Sequence, residues 1–220
     1  MLDWSFIIEN TPMYIKAAIF TLKIASIGII YSVLIGLIAS VILYFKIPVL
    51  RQLITGYVEL SRNTPLLIQL FFLYFGLPKL GIMISSELCG IIGLSFLGGG
   101  YMTEAFRSGL ESVGKNLVES GLSIGLSNMQ VAKYIIIPKA ISVSIPPLCA
   151  NIIFLIKETS VFGVVALEDL VFVAKDLIGL YYKTDEALFM LVVSYLIILL
   201  PLTTILHFVE RRVRYAEYGN

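Results

Sequence analysis

Residues 116–138 read NLVESGLSIGLSNMQVAKYIIIP, and the turn chemistry in this stretch sets the organisation of the chain. Asn116 is expected to cap a short helix, with Glu119 three residues on reaching back to the cap's backbone N–H. That helix should run through Leu117, Val118, Leu122 and Ile124 and stop at Gly125, which enters the left-handed conformation without strain. Ser127 then caps a second helix, with Gln130 in the Glu/Gln position, and Pro138 is expected to end or kink it. Strongly apolar segments flank the stretch on both sides. A helix, a glycine corner and a second helix must therefore project from a membrane as a preformed knuckle that another protein can grip.

Composition supports the membrane setting. The 220 residues are 58% hydrophobic and 14% charged, with a mean hydropathy of +0.93. This is too apolar for a soluble domain and reads as an integral membrane protein. A net charge of +1 offers no basic face, so nucleic acid is not an expected partner. Cys89 and Cys149 fall within apolar segments without CxxC or Cys/His spacing and read as small buried hydrophobes. The start, MLDWSFIIEN, carries acid rather than a basic n-region, so no cleavable signal peptide is expected.

The expected fold is a single all-α membrane domain over 1–220. Its five transmembrane helices fall at about 16–45, 62–78, 88–108, 139–158 and 187–209, with the knuckle at about 115–138. Residues 1–14 read as an interfacial segment anchored by Trp4. Lys16 and Lys23 snorkel where the first span begins. In that span Gly28, Ser32, Gly36 and Ser40 form a small-residue stripe for close helix packing. Val49, Leu53 and Val58 suggest one face of an amphipathic surface helix before the second span. Pro146-Pro147 suggest a broken helix in the fourth.

Several motifs resemble the membrane subunits of ABC importers. Glu119, Ser120, Gly121, Gly125, Ile135, Ile137 and Pro138 follow the spacing of that family's "EAA…G…I-LP" loop, with Ser-Gly in place of Ala-Ala and Ile137 in place of Leu. Arg62-Asn63-Thr64-Pro65 resembles the "RGTP/RNTP" signature of the polar amino acid permeases. GYMTEAFRSGLESV from Gly100 is similar to "AYxAExxRxGxxSV", although Asn116-Leu117 replaces the usual "GQ" before the loop glutamate. IPPLCANIIFLIKETS and Glu210-Arg211-Arg212 match the family's later runs, so the resemblance covers nearly the whole chain. It implies a type I ABC importer-like permease in a bacterial inner membrane. Two ATP-binding subunits would grip the loop through Glu119, Ser120, Gly121, Ile124, Gly125, Leu126 and Pro138. A second permease subunit, identical or related, would complete the pathway, and an extracytoplasmic binding protein would deliver a polar amino acid.

Nothing in the chain suggests catalysis. His207, the single histidine, has no nucleophile or metal-ligand spacing around it, and no GxxxxGK[ST] phosphate loop is present. No cofactor or metal is expected on this chain; ATP and Mg would reside in the partner ATPase. Ionisable groups near spans are costly and mark pathways or interhelical pairs. Arg62, Asn63, Thr64, Tyr101, Glu104, Glu158, Thr159 and Ser160 are the candidates for a polar amino acid path, with salt bridges and caps at the membrane edge as the competing role. Arg62 has a second option, Glu59 three residues away.

Lysine and arginine set the orientation. Lys46, Arg51 and Arg62, then Arg107, Lys115, Lys133 and Lys139 around the knuckle, and Arg211, Arg212 and Arg214 in the tail outnumber Lys79, Lys157, Lys175 and Lys183. The positive-inside rule puts the knuckle and C-terminus in the cytoplasm and the N-terminus outside. Five spans do not divide into two equal repeats, so a second subunit is needed to enclose a pathway. The alternative is an autonomous carrier or channel driven by an ion gradient, in which the knuckle is a mere connector.

Overall fold

The computed structural model describes the backbone of residues 2–218 and the side chains of residues 2–213; the Arg214 side chain of the basic tail lies outside the described residues. The described residues are all-helical, with no strand among them. Helix α1 spans Trp4–Tyr44, about 60 Å long and roughly twice a bilayer's hydrocarbon thickness. Asp3 caps it, its carboxylate accepting from the amides of Ser5 and Phe6 at 3.1 and 3.2 Å. The expected boundary near residue 14 is absent, because the helix runs straight through Pro12. In that turn the Asn10 amide and Thr11 hydroxyl donate to the carbonyls of Phe6 and Ile7, adding hydrogen bonds where proline removes one.

Helix α2 spans Leu50–Asn63. Its inward face is Ile54, Tyr57, Val58 and Ser61, at helical spacing. Val49 and Leu53, expected to share one side of a surface helix with Val58, are exposed while Val58 is buried; Val49 is the helix N-cap, at φ 66°. After the break at Thr64-Pro65, α3 (Leu66–Phe71) continues through a π-turn to Leu80. Helix α4 spans Ser86–Glu111, α5 Lys115–Ser123 and α6 Asn128–Val131. Helix α7 spans Ile137–Glu158, α8 Leu170–Tyr181 and α9 Thr184–Tyr218. Pro146 and Pro147 lie inside α7, which is continuous rather than broken: flanking α4 and α9 hold it in register. Among the described residues, three helical runs are long and apolar enough to cross a membrane: Trp4–Tyr44, Asn128–Val165 and Thr184–Val213. Leu66–Leu80 is a shorter apolar helix.

Helix α4 is the hub. It runs parallel to α1, as the neighbours Lys23–Glu87, Gly28–Leu94 and Gly36–Met102 show. It is antiparallel to α7, where the Tyr101 ring packs at a tilt against Phe154 and Gly109 abuts Ser144 and Ala140. Gly98, Gly99 and Gly100, each rotated about 100° from the last, admit three different neighbours. A Cβ at Gly98 would strike Ser32 and Leu155; at Gly99, Tyr57 and Ile35; at Gly100, Ser61. Polar side chains then tie the close-packed backbones together, as apolar burial alone does not hold helices together in lipid. Ser32 donates to the Gly28 and Leu94 carbonyls at 2.8 and 3.2 Å, and Tyr57 to the Phe96 carbonyl at 2.9 Å. The stripe of small residues on α1 is thus the α4 contact.

A second cluster joins the two ends of the chain. Leu170, Val173 and Leu177 of α8 pack with Ile7, Tyr14 and Ala17 of α1 and with Ala187 and Met190 of α9. Tyr14 donates to the Ala187 carbonyl at 2.8 Å, and Lys183 reaches Asp3 at 3.0 Å. That hydrogen bond holds the Asp3 carboxyl below its ordinary range and raises the Lys183 ammonium. Asp169 caps α8 by accepting from the Phe172 amide at 3.0 Å. Cys89 and Cys149 are buried free thiols.

Candidate functional site

The knuckle is built on two well-formed ends and one looser start. Helix α5 begins at Gly114, which is extended and gives no side-chain cap. The expected Asn116–Glu119 capping box therefore does not form: α4 ends at Glu111, and the helix restarts early enough to make Asn116 its second residue. At the other end Gly125 has φ +89°. Its amide bonds to the Leu122 carbonyl at 3.0 Å, and the Leu126 amide to the Gly121 carbonyl at 3.2 Å. This is a Schellman closure, and it needs a residue free to adopt positive φ. Ser127 then caps α6 with the full reciprocal box: its hydroxyl accepts from the Gln130 amide at 3.3 Å, and the Gln130 side chain accepts from its amide at 2.8 Å.

Pro138 does not end this second helix. A π-turn over Ala132–Ile136 widens the coil one turn ahead of it, and the helix runs on into α7 past a residue that has no N–H to donate. The two arms close on each other at Gly121, where a Cβ would lie 2.6 Å from Ile135 and 3.2 Å from Val131. Glycine at that position brings the helices together. Glu119 and Ser120 are exposed on the outer face. At the bend Ile124 and Met129 are 79% and 77% exposed, with Leu122 and Leu117 half-uncovered beside them. Leu126 turns partly inward. The result is an apolar tip on a braced corner, with acid at its flank.

Of the expected pathway residues, the structure gathers Arg62, Tyr101 and Glu104. The Arg62 guanidinium lies 5.3 Å over the Tyr101 ring and 3.8 Å from Glu104. Glu104 also holds Arg107 at 2.6 Å, and Arg107 reaches Glu111 at 3.4 Å. The Arg62–Glu59 contact is replaced, since Glu59 accepts instead from Asn63 at 3.4 Å. Thr64 bonds back to the Leu60 carbonyl at 2.8 Å and lines an apolar cavity of about 410 Å³ between α2, α3 and α4.

Glu158, Thr159 and Ser160 stand apart, at the other end of α7. Thr159 is fully buried and donates to the Ile156 carbonyl at 2.7 Å, whereas Glu158 and Ser160 are half-buried. Four polar residues that organise the packing were not among the expected site residues. Arg107 was detectable as the i+3 partner of Glu104, and Asp169 as an acid before an apolar run. Gln69, which bonds the Ser61 and Thr64 carbonyls at 3.1 and 3.0 Å, and Asn151, which bonds the Tyr101 carbonyl at 3.2 Å, sit in apolar helices where only packing reveals their partners.

Residues 6–215 match the family described as the binding-protein-dependent transport system inner membrane component. The chain belongs to that family. Among its relatives, the glutamine transport system permease protein GlnP of Escherichia coli (strain K12) is 32% identical over 214 residues, covering 96% of this chain and 98% of its own. The probable glutamine ABC transporter permease protein GlnP of Bacillus subtilis (strain 168) is 41% identical over 151 residues, 69% of each chain. A crystal structure of an amino acid ABC transporter with histidines superposes with a TM-score of 0.89 at 28% identity, over 96% of this chain and 99% of that one. An inward-facing structure of the MetNI methionine ABC transporter, at 18% identity and a TM-score of 0.69 over 94% and 97%, shares the fold. The permease is thus a non-enzymatic, multi-pass inner-membrane subunit of a transport system, and the ATPase is a separate chain.

Proposed function

We propose that this permease is the membrane-spanning subunit of an importer for polar L-amino acids, crossing the membrane five times with its N-terminus outside and its C-terminus in the cytoplasm. Separate ATP-binding subunits, two in the assembly, engage the knuckle over residues 116–138. The observation that carries this is the Gly125 corner, which presents exposed Ile124 and Met129 on a bend closed by hydrogen bonds on both sides. An apolar tip on a rigid corner transmits a push, and Glu119, Ser120 and Pro138 flank or anchor it. A second permease subunit completes the pathway, and an extracytoplasmic binding protein delivers the substrate. ATP and Mg bind in the partner chain.

Relatives named for glutamine and a structural neighbour solved with histidines support a polar amino acid as cargo. Arg62, Asn63, Thr64, Tyr101 and Glu104 serve the inner half of the path. Glu158, Thr159 and Ser160 serve the outer half, where a carboxylate attracts the substrate ammonium. The test is co-purification of the phosphate-loop subunit with the permease. Wild type retains it, whereas Gly125→Asp and Glu119→Lys release it while both variants remain in the membrane. Full retention by both variants would remove the knuckle from the ATPase interface.

A further inference from the structure

Two cavities meet along α1. The first, about 730 Å³, opens near the start of the chain between α1, the beginning of α4 and the turn before α8. Its walls are largely apolar, but four charges ring it: Lys16 and Lys23 from α1, Glu87 from α4 and Glu168 from the turn. Lys23 and Glu87 pair with each other at 3.7 Å. Lys16 and Glu168 have no ion-pair partner among the described residues, and both are exposed. One positive and one negative charge are therefore left in the same mouth.

The second cavity, about 690 Å³, lies on the neighbouring face of α1 against α7 and α9. It is walled almost wholly by isoleucine and leucine, from Ile15 and Leu22 on α1 to Ile152 on α7 and Ile198 on α9. Ile19 lines both cavities and is 65% exposed, so it forms the ridge between them. From Ile15 to Ile30 the groove follows α1 for about 22 Å, enough to accommodate an acyl chain in a leaflet about 15 Å deep.

We propose that this pair of cavities is a binding site for a phospholipid of the ethanolamine type. Its phosphate lies at Lys16, its ammonium at Glu168, and one acyl chain passes over Ile19 into the isoleucine groove. Charge balance selects the headgroup. With Lys23 and Glu87 already neutralising each other, a zwitterion matches the remaining pair, whereas an anionic lipid would leave Glu168 unmatched beside its phosphate. A primary ammonium gives Glu168 N–H donors that a quaternary one lacks, and no aromatic cage lines the mouth to hold the latter. The apolar continuation distinguishes a lipid from a free amino acid, which has nothing to place in the groove. The site lies at the end of the bundle opposite the knuckle, so the lipid belongs to the leaflet away from the ATPase.

The test is native mass spectrometry of the intact transporter from nanodiscs containing equal amounts of phosphatidylethanolamine, phosphatidylglycerol and phosphatidylcholine, with unfolding temperature measured in parallel. Phosphatidylethanolamine should be retained selectively. Lys16→Ala and Glu168→Ala should each weaken that retention about fivefold without lowering the unfolding temperature, since each removes one surface charge from the headgroup. Retention of phosphatidylglycerol equal to or above that of phosphatidylethanolamine would overturn the assignment. So would retention unchanged in both variants, or an Ile19→Cys variant that cross-links to a second permease copy across the groove.

Discussion

The amide of Leu126 bonds back to the carbonyl of Gly121 at 3.2 Å, closing a loop around Gly125 at φ +89°. Leu126 is thereby tied to the same residue whose missing side chain lets Ile135 and Val131 approach. One backbone bond fixes the bend, and one absent Cβ fixes the separation of its arms. The corner at Ile124 is therefore held both by the backbone closure and by the packing of its two arms.

Gly125→Ala forces a side chain into the left-handed region at a local cost of about 1–2 kcal/mol, and Gly125→Asp adds a charge beside the apolar tip. Nothing lies within 4 Å of a Cβ there, so the strain is purely conformational. ATP-driven uptake should fall strongly, while the amount of permease in the membrane stays near wild type. Gly125→Asn, which tolerates positive φ, should be milder. Uptake assays paired with membrane immunoblots check this ordering.

Gly98→Leu should destabilise the bundle itself. The new side chain meets Ser32 and Leu155 at a point where α1, α4 and α7 touch. Overpacking of this kind costs about 1–3 kcal/mol. The expected outcome is a lower unfolding temperature of the purified permease in detergent. Gly56→Leu, at an open position on α2, should leave that temperature within a degree or so of the propensity effect.

Glu104→Gln leaves Arg62 and Arg107 beside each other without their shared counter-charge. All three side chains are partly exposed, so the stability loss should stay near 1 kcal/mol or below. A role in the pathway predicts more than this: KM for uptake should rise several-fold while co-purification of the ATPase is unchanged. Equal KM for Glu104→Gln and wild type would leave the cluster as an interhelical clamp.

Burial pushes the Asp169 carboxyl up to about 6, against a weaker opposing pull from its hydrogen bonds to the α8 backbone and from Lys175. The group is fully buried, with one carboxylate oxygen lacking a hydrogen-bond partner; Glu168 adjoins it in sequence and Tyr195 of α9 faces it. Because its folded value exceeds the unfolded one, the folded state holds the extra proton between about pH 4 and 6. Stability should therefore fall as pH rises through that window, by on the order of 2–3 kcal/mol, and then level off. Asp169→Asn keeps the α8 cap and should remove this dependence. Thermal unfolding in detergent between pH 4.5 and 7.5 reads both effects.

Local signals in the sequence were legible wherever one residue decides the geometry. Gly125 through its backbone freedom and the Ser127–Gln130 box through its side-chain caps specify their turns locally, and both occur as read. The small-residue stripe on α1 also announces a close helix contact, though not that its partner is α4. Prolines were read less surely, because their cost depends on surroundings: Pro146 and Pro147 lie inside a continuous helix, and Pro138 is met by a π-turn instead of a helix end. Which side of α2 packs inward was not legible, because its mixed composition offers apolar residues on more than one side and only contact with α4 selects Tyr57 and Ser61. Arg62 had two acids within reach in principle, and the choice of Glu104 over Glu59 is a tertiary fact that spacing cannot carry.

The most direct measurement is uptake of a labelled amino acid panel into proteoliposomes that hold the permease, its ATPase and its binding protein, with ATP enclosed on the ATPase side or omitted. An ATP-coupled importer predicts accumulation of a polar amino acid only when ATP is present, and loss of that accumulation in Gly125→Asp. Uptake that ignores ATP but follows an imposed ion gradient would contradict it, and would make the knuckle a connector in an autonomous carrier.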